Sequence, residues 1–168
     1  DIDGMLKTLA EQVMTAHADS ANLALIGISE KGASLATRLS NQIQKLSGHT
    51  VPSGYFDASL YRDDLDRRDH FISLQKADIP FDLTGKTVVL VDDVLFHGRM
   101  VRAALEGISD YGRAERIELA VLVDRGHRKL PIMANYIGLT LETNIEQNLQ
   151  VKLYEHDAED SIELREAI

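Results

Sequence analysis

The segment that most restricts the fold of this chain is Thr87-Val88-Val89-Leu90-Val91, an unbroken β-branched and aliphatic run that stops at two adjacent carboxylates, Asp92 and Asp93. A run of this kind, too short for a helix and without polar alternation, suits a strand covered on both faces in a parallel sheet. A short loop with one glycine, Gly98, follows the acids, and a helical pattern over about residues 100–111 follows the loop and stops at Gly112. The strand is thus expected to deliver both acids to the carboxyl edge of a sheet, where the ligand crevices of α/β proteins form.

The rest of the chain repeats this alternation. Ile2, Met5, Leu6, Leu9, Val13 and Met14 recur at helical spacing behind Asp1 and Asp3, which lie where acids favour a helix start. Residues 23–28 form a second short apolar run, followed by Gly32 and a helical period through Leu35, Leu39, Ile43 and Leu46 that ends before Gly48. Residues 55–61 predict a further strand, which leads into a charged surface loop over residues 62–70. Residues 117–123 predict another buried strand, and the alternating tail at 149–154 and 162–164 predicts a terminal β-hairpin. The fold class that follows is α/β, with a mainly parallel core sheet flanked by helices.

Two clusters carry chemistry. Asp92 and Asp93 could accept hydrogen bonds from vicinal ribose hydroxyls and help hold Mg²⁺, which binds through few carboxylates and many waters. Val94, Leu95, Phe96, His97, Gly98, Arg99 and Met100 then present backbone N–H groups and a helix N-terminus to a phosphate. That set suits a ribose 5-phosphate. Past the other buried strand lies Asp124-Arg125-Gly126-His127-Arg128-Lys129, where an arginine could stack on a planar base and a glycine permits close backbone approach. A solvated basic turn is the alternative for that segment. His17, His49, His70 and His156 read as ordinary surface histidines without the spacing of a zinc site.

Composition bounds these choices. The chain lacks cysteine, which excludes disulfides and thiolate chemistry and fits a reducing, cytoplasmic setting. No apolar run approaches the ~20 residues of a membrane helix, and no stretch at the start reads as a signal peptide. With 27 acidic against 18 basic residues the net charge is -9, so nucleic acid would have to bind against the overall field.

The strand, acid pair, loop and helix resemble the signature of type I phosphoribosyltransferases, which bind phosphoribosyl pyrophosphate (PRPP). Three blocks are similar to the pyrimidine operon attenuator and uracil phosphoribosyltransferase family (PyrR) in particular. They are Leu60-Tyr61-Arg62-Asp63-Asp64-Leu65, then Ile79-Pro80-Phe81-Asp82-Leu83 running into Val91-Asp92-Asp93-Val94-Leu95-Phe96, and Leu122-Val123-Asp124-Arg125-Gly126-His127-Arg128-Lys129-Leu130-Pro131-Ile132. The resemblance covers nearly the whole chain and implies one such domain over residues 1–168, with a twisted core sheet, a small hood carrying the Arg62 loop, and a homodimer or larger homo-oligomer. It implies transfer from PRPP to uracil with Mg²⁺, giving UMP and pyrophosphate, and binding of pyrimidine-operon leader RNA. By the same likeness Asp92 and Asp93 hold the ribose, Arg62 the departing pyrophosphate, and Asp124, Arg125 and Gly126 lie near the base.

The chain departs from that pattern at three places. His97 and Met100 stand where the family carries the threonines of its phosphate loop, and Ser29, Glu30 and Lys31 stand before Gly32 where the family tends to have arginine, threonine and arginine. Glu30, Lys31 and Gly32 are still expected to line the pyrophosphate subsite, with Glu30 opposing the anion there. Lys7, Thr8, Glu11, Leu139 and Ile145 stand in the region where the family carries threonine, arginine, histidine and lysine residues associated with RNA, so RNA is disfavoured as a partner. The sequence therefore leaves an uracil phosphoribosyltransferase beside a non-catalytic UMP sensor, with an RNA attenuator lacking enzymatic activity behind both.

Overall fold

The computed structural model describes residues 1–61 and 77–167. Helix α1 (Ile2–Ala16) starts where the Asp1 carboxylate accepts the Asp3 N–H, and buries Ile2, Leu6, Leu9, Ala10 and Val13 on one face. Strand β1 (Leu23–Gly27) leads to helix α2 (Glu30–Ser47), which stops at Gly48. Strand β2 (Ser53–Phe56), a 3-10 turn (Ala58–Tyr61) and the short strand β3 (Ala77–Asp78) follow. Then come strand β4 (Thr87–Leu95), helix α3 (Arg99–Gly107) extended by a 3-10 turn (Ile108–Tyr111), and strands β5 (Arg116–Asp124) and β6 (Tyr136–Thr140). The tail folds as strand β7 (Asn148–Lys152), a single turn α4 (Tyr154–Asp157) and strand β8 (Ser161–Arg165).

The main sheet has the order β3-β2-β1-β4-β5-β6, parallel throughout except for β3, while β7 and β8 pair antiparallel by themselves. From β1 the chain first adds β2 on one side and later β4 on the other. The carboxyl ends of β1 and β4 therefore flank the point where the strand order reverses, which is where an open α/β sheet leaves a crevice.

The pleat of β4 sorts its side chains between two cores. Val89 and Val91 join Leu6, Leu9, Leu35, Leu39 and Leu122 on the side covered by α1 and α2. Val88 and Leu90 join Ile26, Phe56, Val101, Ala104 and Val121 on the side covered by α3. Burial on both faces is what removes polar alternation from this strand.

The expected architecture is present, with local differences. Strand β4 runs past both acids to Leu95, because β5 keeps pairing with it as far as Asp124. The strand expected over 55–61 begins earlier and ends at Phe56, since the Asp57 carboxylate takes the N–H and hydroxyl of Ser59 and turns the chain there. Strand β6 is an element the sequence did not announce, its pattern being broken by Asn135 and Gly138. His17 is not an ordinary surface histidine: its Nε2 lies 2.5 Å from Glu118, pinning the end of α1 to β5. The charged stretch 62–70, with Arg62, lies outside the described residues.

Candidate functional site

At the reversal point the loops after β1 and β4 are locked together. The Ile28 N–H donates to the Val91 carbonyl at 3.1 Å, and a Cβ on Gly32 would sit 2.5 Å from the same oxygen. Glycine at position 32 is therefore what allows the first turn of α2 to press directly on β4. Ser29 joins the two functions of this junction. Its hydroxyl oxygen accepts the Gly32 N–H at 2.9 Å as the helix cap, and its O–H donates to Asp92 Oδ1 at 2.9 Å.

Asp92 is only 5% exposed, and Oδ1 also accepts the Asp93 N–H at 2.9 Å. Burial pushes its carboxyl well above the ordinary range, and the charge of Asp93 adds to the rise against the hydrogen bonds from Ser29 and the backbone. Asp93 Oδ1 takes the Val94 N–H at 2.9 Å. Being consecutive in a strand, the two acids face different spaces: Asp92 lines one cavity and Asp93 another.

The first cavity, about 150 Å³, is bounded by Asp92, Val94, Leu95, Phe96, His97, Gly98, Arg99, Met100 and Val101. Every residue of the expected phosphate loop therefore meets in one space, together with Val101, which the sequence did not single out. Gly98 opens α3 in a left-handed conformation (φ 94°), and a Cβ there would come within 3.2 Å of Ile132. No side chain caps this helix, so its first N–H groups remain directed at the cavity end. Met100 offers a thioether to the space and cannot donate a hydrogen bond.

The second cavity, about 350 Å³, is lined by Ser29, Glu30, Lys31, Tyr55, Asp57, Ser59, Asp93 and Met100. Glu30 and Lys31 line this space, whereas Gly32 does not and packs against β4. Lys31 is already engaged: its ammonium donates to the Val151 carbonyl and lies 3.3 Å from Asp157. Tyr55, Asp57 and Ser59 are additional lining residues. Their signal was available in principle, since β2 is parallel to β1 and its carboxyl end must open onto the same edge. Burial, followed by the charges of Asp57 and Glu30, pushes the Tyr55 phenol up to about 12, so it stays protonated as a donor.

The basic loop after β5 is placed differently from the expectation. Arg125 is 6% exposed, with Nε on Thr143 Oγ1 at 3.1 Å and Nη2 on the carbonyls of Asn144 (3.0 Å) and Gln147 (2.9 Å). Its guanidinium covers the Phe96 ring at 4.1 Å, and it lines neither cavity. One face of the Arg125 guanidinium is thus covered by Phe96, a side chain of the expected phosphate loop. Asp124 closes its own loop, accepting the Gly126 N–H at 3.0 Å and Arg128 Nη2 at 2.6 Å. Burial acts to raise its carboxyl, but Arg128 and the Gly126 N–H outweigh that and hold it below the ordinary range. Arg128 also donates to the carbonyls of Phe96 and Ile132.

A parallel sheet with carboxylates on β4, a glycine-opened helix beyond them and a crevice at the strand reversal makes this an open α/β protein built to bind a phosphorylated ligand at the sheet edge. Solved structures share the fold at low identity. Hypoxanthine phosphoribosyltransferase from Staphylococcus aureus superposes with a TM-score of 0.64 at 20% identity, over 86% of this chain and 75% of that one. The Trypanosoma cruzi enzyme gives 0.64 at 15% identity, over 87% and 74%. The model of the phosphoribosyl transferase domain matches residues 3–156. Curated relatives named Bifunctional protein PyrR are 46% identical in Elusimicrobium minutum and 50% in Nostoc punctiforme, each over 98% of this chain and 92% of the relative. The Thermus thermophilus protein of that name is 47% identical over 96% and 89%. This chain belongs to the phosphoribosyltransferase domain family, in the branch of the bifunctional PyrR proteins.

Proposed function

We propose that this chain transfers the 5-phosphoribosyl group of PRPP to uracil, releasing pyrophosphate and forming UMP, and that it serves pyrimidine regulation as a PyrR protein. The observation that carries the proposal is the cleft between Asp92 and the Gly98 turn, bounded by one carboxylate and the uncapped start of α3. It suits a phosphate ester attached to a hydroxylated ring. The 5-phosphate would meet the backbone of residues 94–100, and the ribose hydroxyls would meet Asp92 and Asp93. No side chain forms a covalent intermediate in this scheme. The protein holds the base against the anomeric carbon and offsets charge on the departing pyrophosphate, a task that falls in part to Arg62.

Mg²⁺ fits the donor set. Among the described residues no cluster of three metal-ligating side chains exists, and Mg²⁺ needs only one or two carboxylates beside water and phosphate oxygens. Asp92 and Asp93, adjacent and mutually unfavourable as anions, are the residues that would hold it. When bound, the ion neutralises negative charge on the pyrophosphate.

Measuring UMP formed from uracil, PRPP and Mg²⁺ tests the proposal. Turnover is expected from the wild type, and loss of turnover with an intact fold from Asp92→Asn combined with Asp93→Asn. A wild type that forms no UMP at saturating PRPP, or a fully active double variant, would overturn it.

One observation favours a second reading, UMP binding without turnover. The larger cavity carries Glu30, Asp57 and Asp93 against a lysine already paired with Asp157, which is a poor receptor for pyrophosphate. Calorimetric titration separates the two, since a sensor binds UMP and fails to turn over PRPP.

A further inference from the structure

We infer that phosphate binding at the β4–α3 loop is coupled to uptake of a proton by His97. This rests on the proposed phosphate subsite and concerns how this chain works without the hydroxyls of the family's loop.

His97 Nδ1 lies 2.9 Å from the His127 carbonyl oxygen. A carbonyl only accepts, so Nδ1 carries the hydrogen. A neutral imidazole has one N–H, and Nε2 is then a lone pair. Among the described residues Nε2 has no hydrogen-bond partner, while the residue itself lines the phosphate cavity. A lone pair repels a phosphate oxygen. Only the imidazolium donates to His127 and to a phosphate at once.

The ring cannot easily escape by turning over, because its neighbours hold it. It stacks on Phe96 with centroids 3.7 Å apart and planes 26° from parallel. Arg125 lies 4.1 Å over the same Phe96 ring, and two groups this close must occupy opposite faces. Arg125 is fixed in turn by Thr143, Asn144 and Gln147. His127, which supplies the accepting carbonyl, donates from Nε2 to the Thr143 carbonyl at 2.6 Å and holds a left-handed backbone (φ 63°). A threonine hydroxyl would rotate to suit its ligand, whereas this ring must add a proton.

The charged and titratable groups around His97 are Arg125 behind Phe96, the His127 ring edge-on to Phe96, Arg128 on the Phe96 carbonyl and Lys129, whose N–H donates to the His97 carbonyl. Arg99 and Asp92 share the cavity wall. Among the described residues the carboxylates near this set are Asp92 and Asp124, and Asp124 is already paired with Arg128 at 2.6 Å, so an entering phosphate dianion is the main source of negative charge that retains the second proton. Whatever fraction of rings is neutral in the free protein must then protonate on binding.

The test is calorimetric titration of the full chain with UMP at about pH 8, where the phosphate is already dianionic. Buffers of different ionisation enthalpy yield the number of protons taken up. The wild type is expected to take up as much as one proton per UMP, and its affinity to fall by as much as about tenfold per pH unit above the imidazole range. His97→Thr should bind UMP with no linked proton and a flat pH profile, and His97→Gln serves if the threonine variant misfolds. The ¹⁵N signal of Nε2 should change from lone-pair to N–H character on binding. UMP binding by the wild type without proton uptake, or with equal uptake in both variants, would overturn the inference. No UMP binding by the wild type would instead remove the phosphate subsite and the inference together.

Discussion

Asp92 and Glu118 are both 5% exposed acids in neighbouring strands of the same sheet, yet their surroundings are opposite in kind. Burial acts to raise both. At Glu118, near the start of β5, His17, the Tyr136 hydroxyl and Arg116 outweigh burial and hold the carboxyl below its ordinary range. At Asp92, near the end of β4, the charge that acts on it among the described residues is another carboxylate, and the rise stands. Depth alone therefore does not identify a functional acid. Glu118 is completed by the protein and works as a pin between α1, β5 and β6, whereas Asp92 is left with an unbalanced charge that a ligand or cation can complete.

The largest effect that could break this contrast is on turnover. Asp92→Asn with Asp93→Asn is expected to lower kcat by more than about 10³-fold while leaving the denaturation midpoint unchanged or higher, because a buried repulsion is removed. A double variant that loses stability and keeps its rate would make Asp92 a structural acid like Glu118. Glu118→Ala should do the reverse. It strands His17 and the Tyr136 hydroxyl, and a cost of about 3 kcal/mol in unfolding free energy is expected with kcat unchanged.

The pH response sharpens the same point. The folded-state carboxyl of Glu118 is depressed, so its contribution is present above the unfolded carboxyl range and is lost as pH falls through the lower folded value. The stability gap between wild type and Glu118→Gln, followed by urea denaturation, should be constant above about pH 5 and narrow as pH falls below it. A gap that did not narrow would mean that the ion pair contributes nothing through its charge.

The acid pair was legible in the sequence and the pin was not, for a physical reason. Thr87 through Met100 is one continuous segment whose strand, turn and helix are each encoded locally, so its cavity could be read residue by residue. Glu118 meets His17 across 101 positions of sequence, and Arg125 meets Thr143 across 18. The single acid inside the apolar run 117–123 was a usable signal, since an acid in a buried strand requires a partner. The basic loop after β5 misled for a related reason. Its arginines looked available to a ligand, but in the fold they bond to backbone carbonyls and to Asp124.

Smaller effects test how far the unbalanced edge has drifted from a complete phosphate site. Met100→Thr restores a hydroxyl at the second residue of α3, where an added hydrogen bond to a charged group is worth about 1.5 kcal/mol or more. UMP affinity should rise by about tenfold, measured at a pH where His97 is protonated so that the two donors are compared in the same state. Met100 also packs against the apolar cluster under α3, so a loss of about 1 kcal/mol in stability is expected alongside the gain. Unchanged affinity would mean that the backbone of residues 94–99 already satisfies the phosphate.

The smallest effect is expected at Glu30. It is exposed to solvent and shares its cavity with Asp57 and Asp93, so its charge is screened and is one of three. Glu30→Gln should strengthen PRPP binding a few-fold at low salt and leave UMP binding unchanged, because UMP lacks the group that would enter this cavity. The difference should fade as salt rises. Equal strengthening for both ligands would mean that the acids act through the general field of a chain with net charge -9, and that the two cavities are not separate phosphate environments. A PRPP-specific gain would make Glu30 the residue that weakens pyrophosphate binding here, and would put the contrast between completed and unbalanced acids inside the site itself.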